Sequence, residues 1–182
     1  MFIAPLRHRD LLAGAGARRI VELDWWESHA FSPDLGIALT PTRHWSNRFG
    51  TPRNHRLWGG FFLTLGAAST AKRVWFVGDS GYDAESFRAI ARRCGTPDLA
   101  LIPIGAYEPR WFMAPIHMNP AEAVATHRQV GARQSVAMHW GTFQLSDEPR
   151  EAPVQALAAA RSEAGVTEDE FRVLAPGASL VV

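Results

Sequence analysis

Residues 72–95, "KRVWFVGDSGYDAESFRAIARRCG", read as a strand, a tight turn and a helix in succession. Arg73–Val77 is a short β-branched and aromatic run, and Gly78-Asp79-Ser80-Gly81 closes it with turn residues. Beyond the turn, Phe87, Ile90, Ala91 and Cys94 recur on one helical face, with Gly95 just past its end. Working outward, strand-like runs stand at Ile20–Leu23, at "LGIALTP" (35–41), "LWGGFFLTLG" (57–66), "DLALIPIGA" (98–106) and "QSVAMHW" (134–140). Helices are expected over residues 7–15, 119–131 and 152–165. The second is well punctuated: Asn119 suits the N-cap, Pro120 the first helical position, Glu122 completes a capping box, and Gly131 ends it. The last segment, "FRVLAPGASLVV", predicts a pair of short strands about Pro176 and Gly177. The class is α/β.

The chain has 182 residues, 47% of them hydrophobic and 20% charged, which fits one globular domain spanning 1–182. A net charge of +1 implies no strong field for nucleic acid or membrane. The arginines are scattered rather than interleaved with stacking aromatics, so no nucleic-acid partner is expected. Cys94, the single cysteine, excludes an internal disulfide and a cysteine-based zinc cluster. No apolar run has the length of a bilayer span, and the first residues lack the order of a secretory signal. The expected location is a reducing, cytoplasmic compartment.

Three strand-like runs are followed by a residue able to ligate a metal. His44 follows "IALTP", Asp79 follows "VWFVG" and His139 follows "SVAM". If these strand ends share one sheet edge, two imidazoles and a carboxylate converge, the donor set zinc favours without cysteine. Each has an ordinary alternative: a histidine after a strand is more often a hydrogen-bonded structural residue, and Asp79 could merely cap its turn. His117 lies in the proline-bounded stretch "EPRWFMAPIHMNP", immediately before a helix start. The irregular stretches 42–57 and 105–118 exceed ordinary connection length and are expected to be functional loops. His127, among Thr126, Arg128 and Gln129, reads as solvent-facing.

Several motifs then occur in one order: "VELDWWE", "TPTRHWSNR", "FVGDSGY", "DLALIPIGAYEPRWFM", "HMNPAEAV" and "SVAMHWGTF". Together they resemble the N-acylphosphatidylethanolamine-hydrolysing phospholipases D of the metallo-β-lactamase superfamily, from about Ile20 to the C-terminus. The resemblance implies an αβ/βα sandwich with a two-zinc site at one edge. It implies His44 as ligand of one zinc, His139 as ligand of the other, and Asp79 as a catalytic bridge between them. It places His117 beside the reacting phosphodiester as a catalytic group. Two cations about 3.5–4 Å apart polarise phosphoryl oxygens and generate hydroxide near neutral pH. Tyr107, Arg110, Trp111 and Phe112 are the expected substrate contacts, with the arginine on phosphate and the aromatics on acyl chains. For "RWFMAP", a core-packing loop is the equal alternative.

The superfamily's HxHxDH motif is absent from these residues. The chain therefore reads as the C-terminal portion of such a domain, incomplete on its N-terminal side. Counted with His44, Asp79 and His139 alone, each zinc keeps two protein ligands, below the three usual in catalytic sites. Zinc binding by this chain is accordingly expected to be weak or absent, and an uncovered sheet face to favour aggregation, a homodimer or dependence on a missing segment. The expected activity is zinc-dependent phosphodiester hydrolysis of phospholipid-like substrates, with peripheral membrane contact open and activity impaired in this chain. The alternatives are a non-catalytic interaction module and a metallo-hydrolase for another phosphodiester.

Overall fold

The computed structural model describes residues 1–67, 70–175 and 177–181. In chain order the elements are β1 (Phe2–Pro5), α1 (Arg9–Gly14), β2 (Ile20–Leu23), β3 (Ser28–Ser32), β4 (Leu35–Thr40), β5 (Gly60–Leu65) and β6 (Lys72–Phe76). They continue with α2 (Ala84–Cys94), β7 (Leu99–Pro103), α3 (Arg110–Met113), α4 (Pro120–Val130), β8 (Gln134–Met138), α5 (Ala152–Ala164) and β9 (Phe171–Arg172). Strands β3 to β9 form one seven-stranded sheet in sequence order. Pairing is antiparallel from β3 to β6 and parallel from β6 to β9. The change comes where the connection lengthens from a hairpin to a helical crossover. A separate parallel pair, β1–β2, forms a second small sheet.

Period-two alternation sorts the large sheet into two faces. Phe62 pairs with Trp75 and Trp75 with Ala100, and all three are buried with Ile102 and Ala137 beneath Phe87 and Ile90 of α2, Val124 and Val130 of α4, and Leu157 of α5. The opposite face carries Ile37, Phe61, Leu63 and Phe76, which with Phe31 and Ile3 of β1 border a shallow apolar hollow. Among the described residues no helix is long and apolar enough to cross a membrane.

Local signals place the helix ends. The Asp83 carboxylate accepts hydrogen bonds from the N–H groups of Glu85 and Ser86 and so starts α2. Both halves of the Asn119/Glu122 capping box form, and Gly131 takes the left-handed conformation that ends α4. Three expectations differ. The first helix is confined to Arg9–Gly14 and is preceded by the unanticipated strand β1. Of the expected closing strand pair, Phe171–Arg172 alone is a strand among the described residues, and Pro176 lies outside them. His127 is 6% exposed rather than solvated. It faces inward because a ring nitrogen finds Ser135 Oγ at 2.8 Å, which removes the penalty of burying it.

Candidate metal centre

The loops after β4, β6, α3 and β8 meet at one edge of the sheet, and Ser80 ties the first three together. Its hydroxyl, fully buried, accepts the Arg43 N–H (3.0 Å) and donates to the Gly81 carbonyl (2.8 Å). Its carbonyl accepts the Met118 N–H (2.9 Å), and the Gly81 N–H reaches back to the Arg43 carbonyl (2.9 Å). Asp79 is thus flanked by a residue tied to both neighbours: Arg43 precedes His44, and Met118 follows His117. Gly81 allows the approach, since a Cβ there would stand 2.5 Å from the Pro115 carbonyl oxygen. Gly105 does the same for the last loop, because a Cβ would collide with the His139 carbonyl oxygen.

One donor atom each from His44, Asp79 and His117 lie within 4.8 Å of one another. His139 joins from the far side, its Nε2 3.4 Å from Asp79 Oδ1. The three rings form an arc, with His117 5.1 Å from His44 and 5.3 Å from His139 between centroids. The tautomer of a neutral His44 ring follows from its neighbour: Nδ1 lies 2.8 Å from the Trp45 carbonyl, which only accepts, so Nδ1 carries the proton and the lone pair falls on Nε2. That Nε2 is buried without a partner, as are Nδ1 of His117 and Nδ1 of His139. Nε2 of His44 and Nδ1 of His117, buried and unpartnered in a cluster with a carboxylate, are costly as a purely structural arrangement and suited to a cation, while His139 turns its other nitrogen, Nε2, to Asp79. The donor set therefore fits a divalent metal. A fixed Nδ1–H on a backbone carbonyl is also how ligating histidines are held.

The electrostatics agree. Burial raises Asp79, but the His139 hydrogen bond and the three imidazoles outweigh it, leaving the carboxyl below the ordinary aspartate range. That Asp79 bond in turn holds His139 above the ordinary histidine range despite burial. His117 is pushed down to about 4, chiefly by burial, so it is neutral at physiological pH. The weak-zinc expectation set His117 aside as a ligand; the geometry offers it as a third donor beside His44 and Asp79.

The expected substrate residues divide. Tyr107 is buried, at 9% exposure, beside this edge. The Arg110 guanidinium chelates both carboxylate oxygens of Glu122 (3.0 and 2.8 Å) and donates to the His117 carbonyl (3.0 Å), so it braces the His117 loop. Trp111 and Phe112, on α3, are exposed at 84% and 56%. Residues not singled out in the sequence are Ser80 and Glu148. Ser80 had a signal, its place in the Gly-Asp-Ser-Gly turn. Glu148 had none, because it acts across forty residues. A cleft of about 320 Å³ opens at His139, between Gly105–Ala106 on one wall and residues 140–146 on the other, with Phe143 and Leu145 exposed at its rim.

The family model of the Beta-lactamase superfamily domain matches residues 2–140. The chain is 40% identical over 144 residues to N-acyl-phosphatidylethanolamine-hydrolyzing phospholipase D 1 of Caenorhabditis elegans, covering 75% of this chain and 39% of that protein. It is 34% identical over 152 residues to the mitochondrial N-acyl-phosphatidylethanolamine-hydrolyzing phospholipase D of Saccharomyces cerevisiae, covering 81% of this chain and 32% of that one. The chain thus spans less than half the length of these relatives. Igni18, a metallo hydrolase of the archaeon Ignicoccus hospitalis, shares the fold with a TM-score of 0.67 at 23% identity, over 98% of this chain and 67% of its own. With the four loops, their ligand-competent edge and the matched family model together, the chain belongs to the β-lactamase superfamily, in its metallo-hydrolase fold.

Proposed function

We propose that this chain carries part of the site of a zinc-dependent hydrolase that cleaves the phosphodiester of N-acylphosphatidylethanolamine-like lipids. One observation carries the reading: the donors of His44, Asp79 and His117 lie within 4.8 Å of one another, and both imidazoles keep a buried nitrogen without a partner. Likeness to two phospholipases D at 34–40% identity supports the substrate class. Nitrogen and carboxylate donors without sulfur suit zinc. His44, Asp79 and His117 would hold one ion, and His139, beside Asp79, would contribute to a second. Zinc bound there supplies a Lewis acid for a phosphoryl oxygen and lowers the pKa of a water.

The chain's own groups do the rest. Asp79 stays ionised and orients His139 through its 3.4 Å contact. His117, neutral at physiological pH, lies between the other two imidazoles, where a reacting phosphodiester would meet it. Tyr107 and the braced Arg110 shape the wall of that loop, while Trp111 and Phe112 present apolar surface to acyl chains at a membrane face. The overall change is hydrolysis: water oxygen bonds to phosphorus, the phosphorus–oxygen bond to the head group breaks, and the leaving alkoxide takes a proton. The test is release of N-acylethanolamine from N-acylphosphatidylethanolamine vesicles by the zinc-loaded chain, compared with His44→Ala. Release that the substitution abolishes supports the reading. Release of neither this product nor p-nitrophenol from bis(p-nitrophenyl) phosphate sinks it, and p-nitrophenol alone moves the assignment to another phosphodiester.

A further inference from the structure

Glu148 is 9% exposed, and its carboxylate carries no partner of opposite charge among the described residues. Three consecutive backbone N–H groups donate to it instead: Ala106 (2.6 Å) and Tyr107 (3.2 Å) to Oε1, and Glu108 (3.0 Å) to Oε2. Burial raises its pKa, but a hydrogen bond from Ser146 and those backbone donors prevail and keep it below the ordinary glutamate range. One more bond joins the same segments, the Asp147 N–H to the Glu108 carbonyl (3.3 Å), and Gln144 Nε2 closes the later segment on itself at the Glu148 carbonyl (2.9 Å).

What this nest holds is the backbone against which His139 rests. Ala106 sits at φ 61° and His139 at φ 58°, both in the left-handed region that side chains other than glycine avoid. Between them, Gly105 lies so close to the His139 carbonyl that no Cβ fits. Such strained residues persist only where their surroundings over-determine them. The segment from His139 to Glu148 therefore runs as a strap, starting at the imidazole on Asp79 and tied back onto the loop that backs it.

We propose that Glu148 is a positioning residue of the site: by gathering the Ala106, Tyr107 and Glu108 N–H groups it fixes the loop that sets His139 against Asp79. The inference rests on the hydrolase reading only for its effect on turnover; the geometric claim stands by itself.

The experiment compares Glu148→Gln and Glu148→Asp with the parent in the metal-free 182-residue chain, following the histidine side chains by long-range ¹H–¹⁵N correlation NMR at one pH. The amide places a donor among donors, so the His139 ring signals are expected to move or broaden. Those of His127, hydrogen-bonded to Ser135 under α4, should stay fixed. Glu148→Asp keeps the charge and the fold but falls one methylene short, and should move His139 less. Glu22→Gln, which removes a comparable carboxylate from the His8 and Arg9 N–H groups, should leave His139 untouched. Unchanged His139 signals in folded Glu148→Gln, a larger movement in Glu148→Asp than in Glu148→Gln, or equal movement of His127, would overturn the proposal. In the zinc-loaded chain, kcat on bis(p-nitrophenyl) phosphate should fall roughly 10–100-fold with little change in KM, the scale of outer-shell substitutions at metal sites. A parent without turnover counts against the hydrolase reading and leaves the NMR result to decide the role of Glu148.

Discussion

The two faces of the seven-stranded sheet are built alike and finished differently. Both are apolar, and the same strands supply both through period-two alternation. On one, Phe62 and Trp75 are 2% and 0% exposed beneath α2, α4 and α5. On the other, one residue further along the same strand, Phe76 is 42% exposed, and Phe31 across the face equally so. The lesson is that hydrophobicity alone does not reveal which face carries stability; the cover does. The site depends on neither face directly. It sits on loops at the sheet edge, three of which are tied by hydrogen bonds through Ser80.

The sharpest contrast comes from truncating one residue on each face. Phe62→Ala removes a ring from the closed core and should cost about 3–5 kcal/mol, read as a large fall in the urea midpoint. Next in size, Ser80→Ala leaves the Arg43 N–H without its acceptor in a buried place and should cost about 1–3 kcal/mol. It should also weaken divalent-metal binding more than a stability loss alone explains, since it loosens the loop that sets His44. An unchanged metal affinity would show that Ser80 only supports the fold.

Acid should come third. His117 is depressed from 6.5 to about 4 and His127 is depressed too, both chiefly by burial. Each contributes stability that is whole above pH 6.5 and is lost as pH falls toward the folded value, because the unfolded chain binds the proton more readily. His139 runs the other way: held high by Asp79, its share is whole below 6.5 and fades as pH rises through its folded value. With two imidazoles against one, the metal-free chain should unfold at lower urea at pH 5 than at pH 7. A higher midpoint at pH 5 would mean that the Asp79–His139 pair dominates. The smallest effect belongs to the open face. Phe76→Ser should change stability by about 1 kcal/mol or less while reducing concentration-dependent association in sedimentation velocity. A parent that stays monomeric at high concentration would remove the case for a dimer through this face.

How far the sequence carried varies with the range of the interaction. Helix ends were legible because their signals are local: the Asn119–Glu122 box spans four residues, and Gly131 ends its helix by its own conformation. Asp79, His44 and His139 were legible as strand-end residues, and the motif resemblance joined them. The grouping of His117 with His44 and Asp79 as donors was not, because it depends on how closely Gly81 lets two loops approach. His127 was misread because its neighbours in sequence are polar, whereas its partner is Ser135 on another element. Glu148 and the two N–H groups that reach its Oε1 lie 41 and 42 positions apart, a separation that no local pattern records.

The central claim is that His44, Asp79 and His117 form a metal site. Calorimetric titration of zinc into the metal-free 182-residue chain at neutral pH tests it most directly. The account predicts at least one ion bound per chain, with binding lost in His44→Ala, Asp79→Asn and His117→Ala and retained in His127→Ala. No zinc uptake by the folded parent, or equal uptake by all four variants, would contradict it.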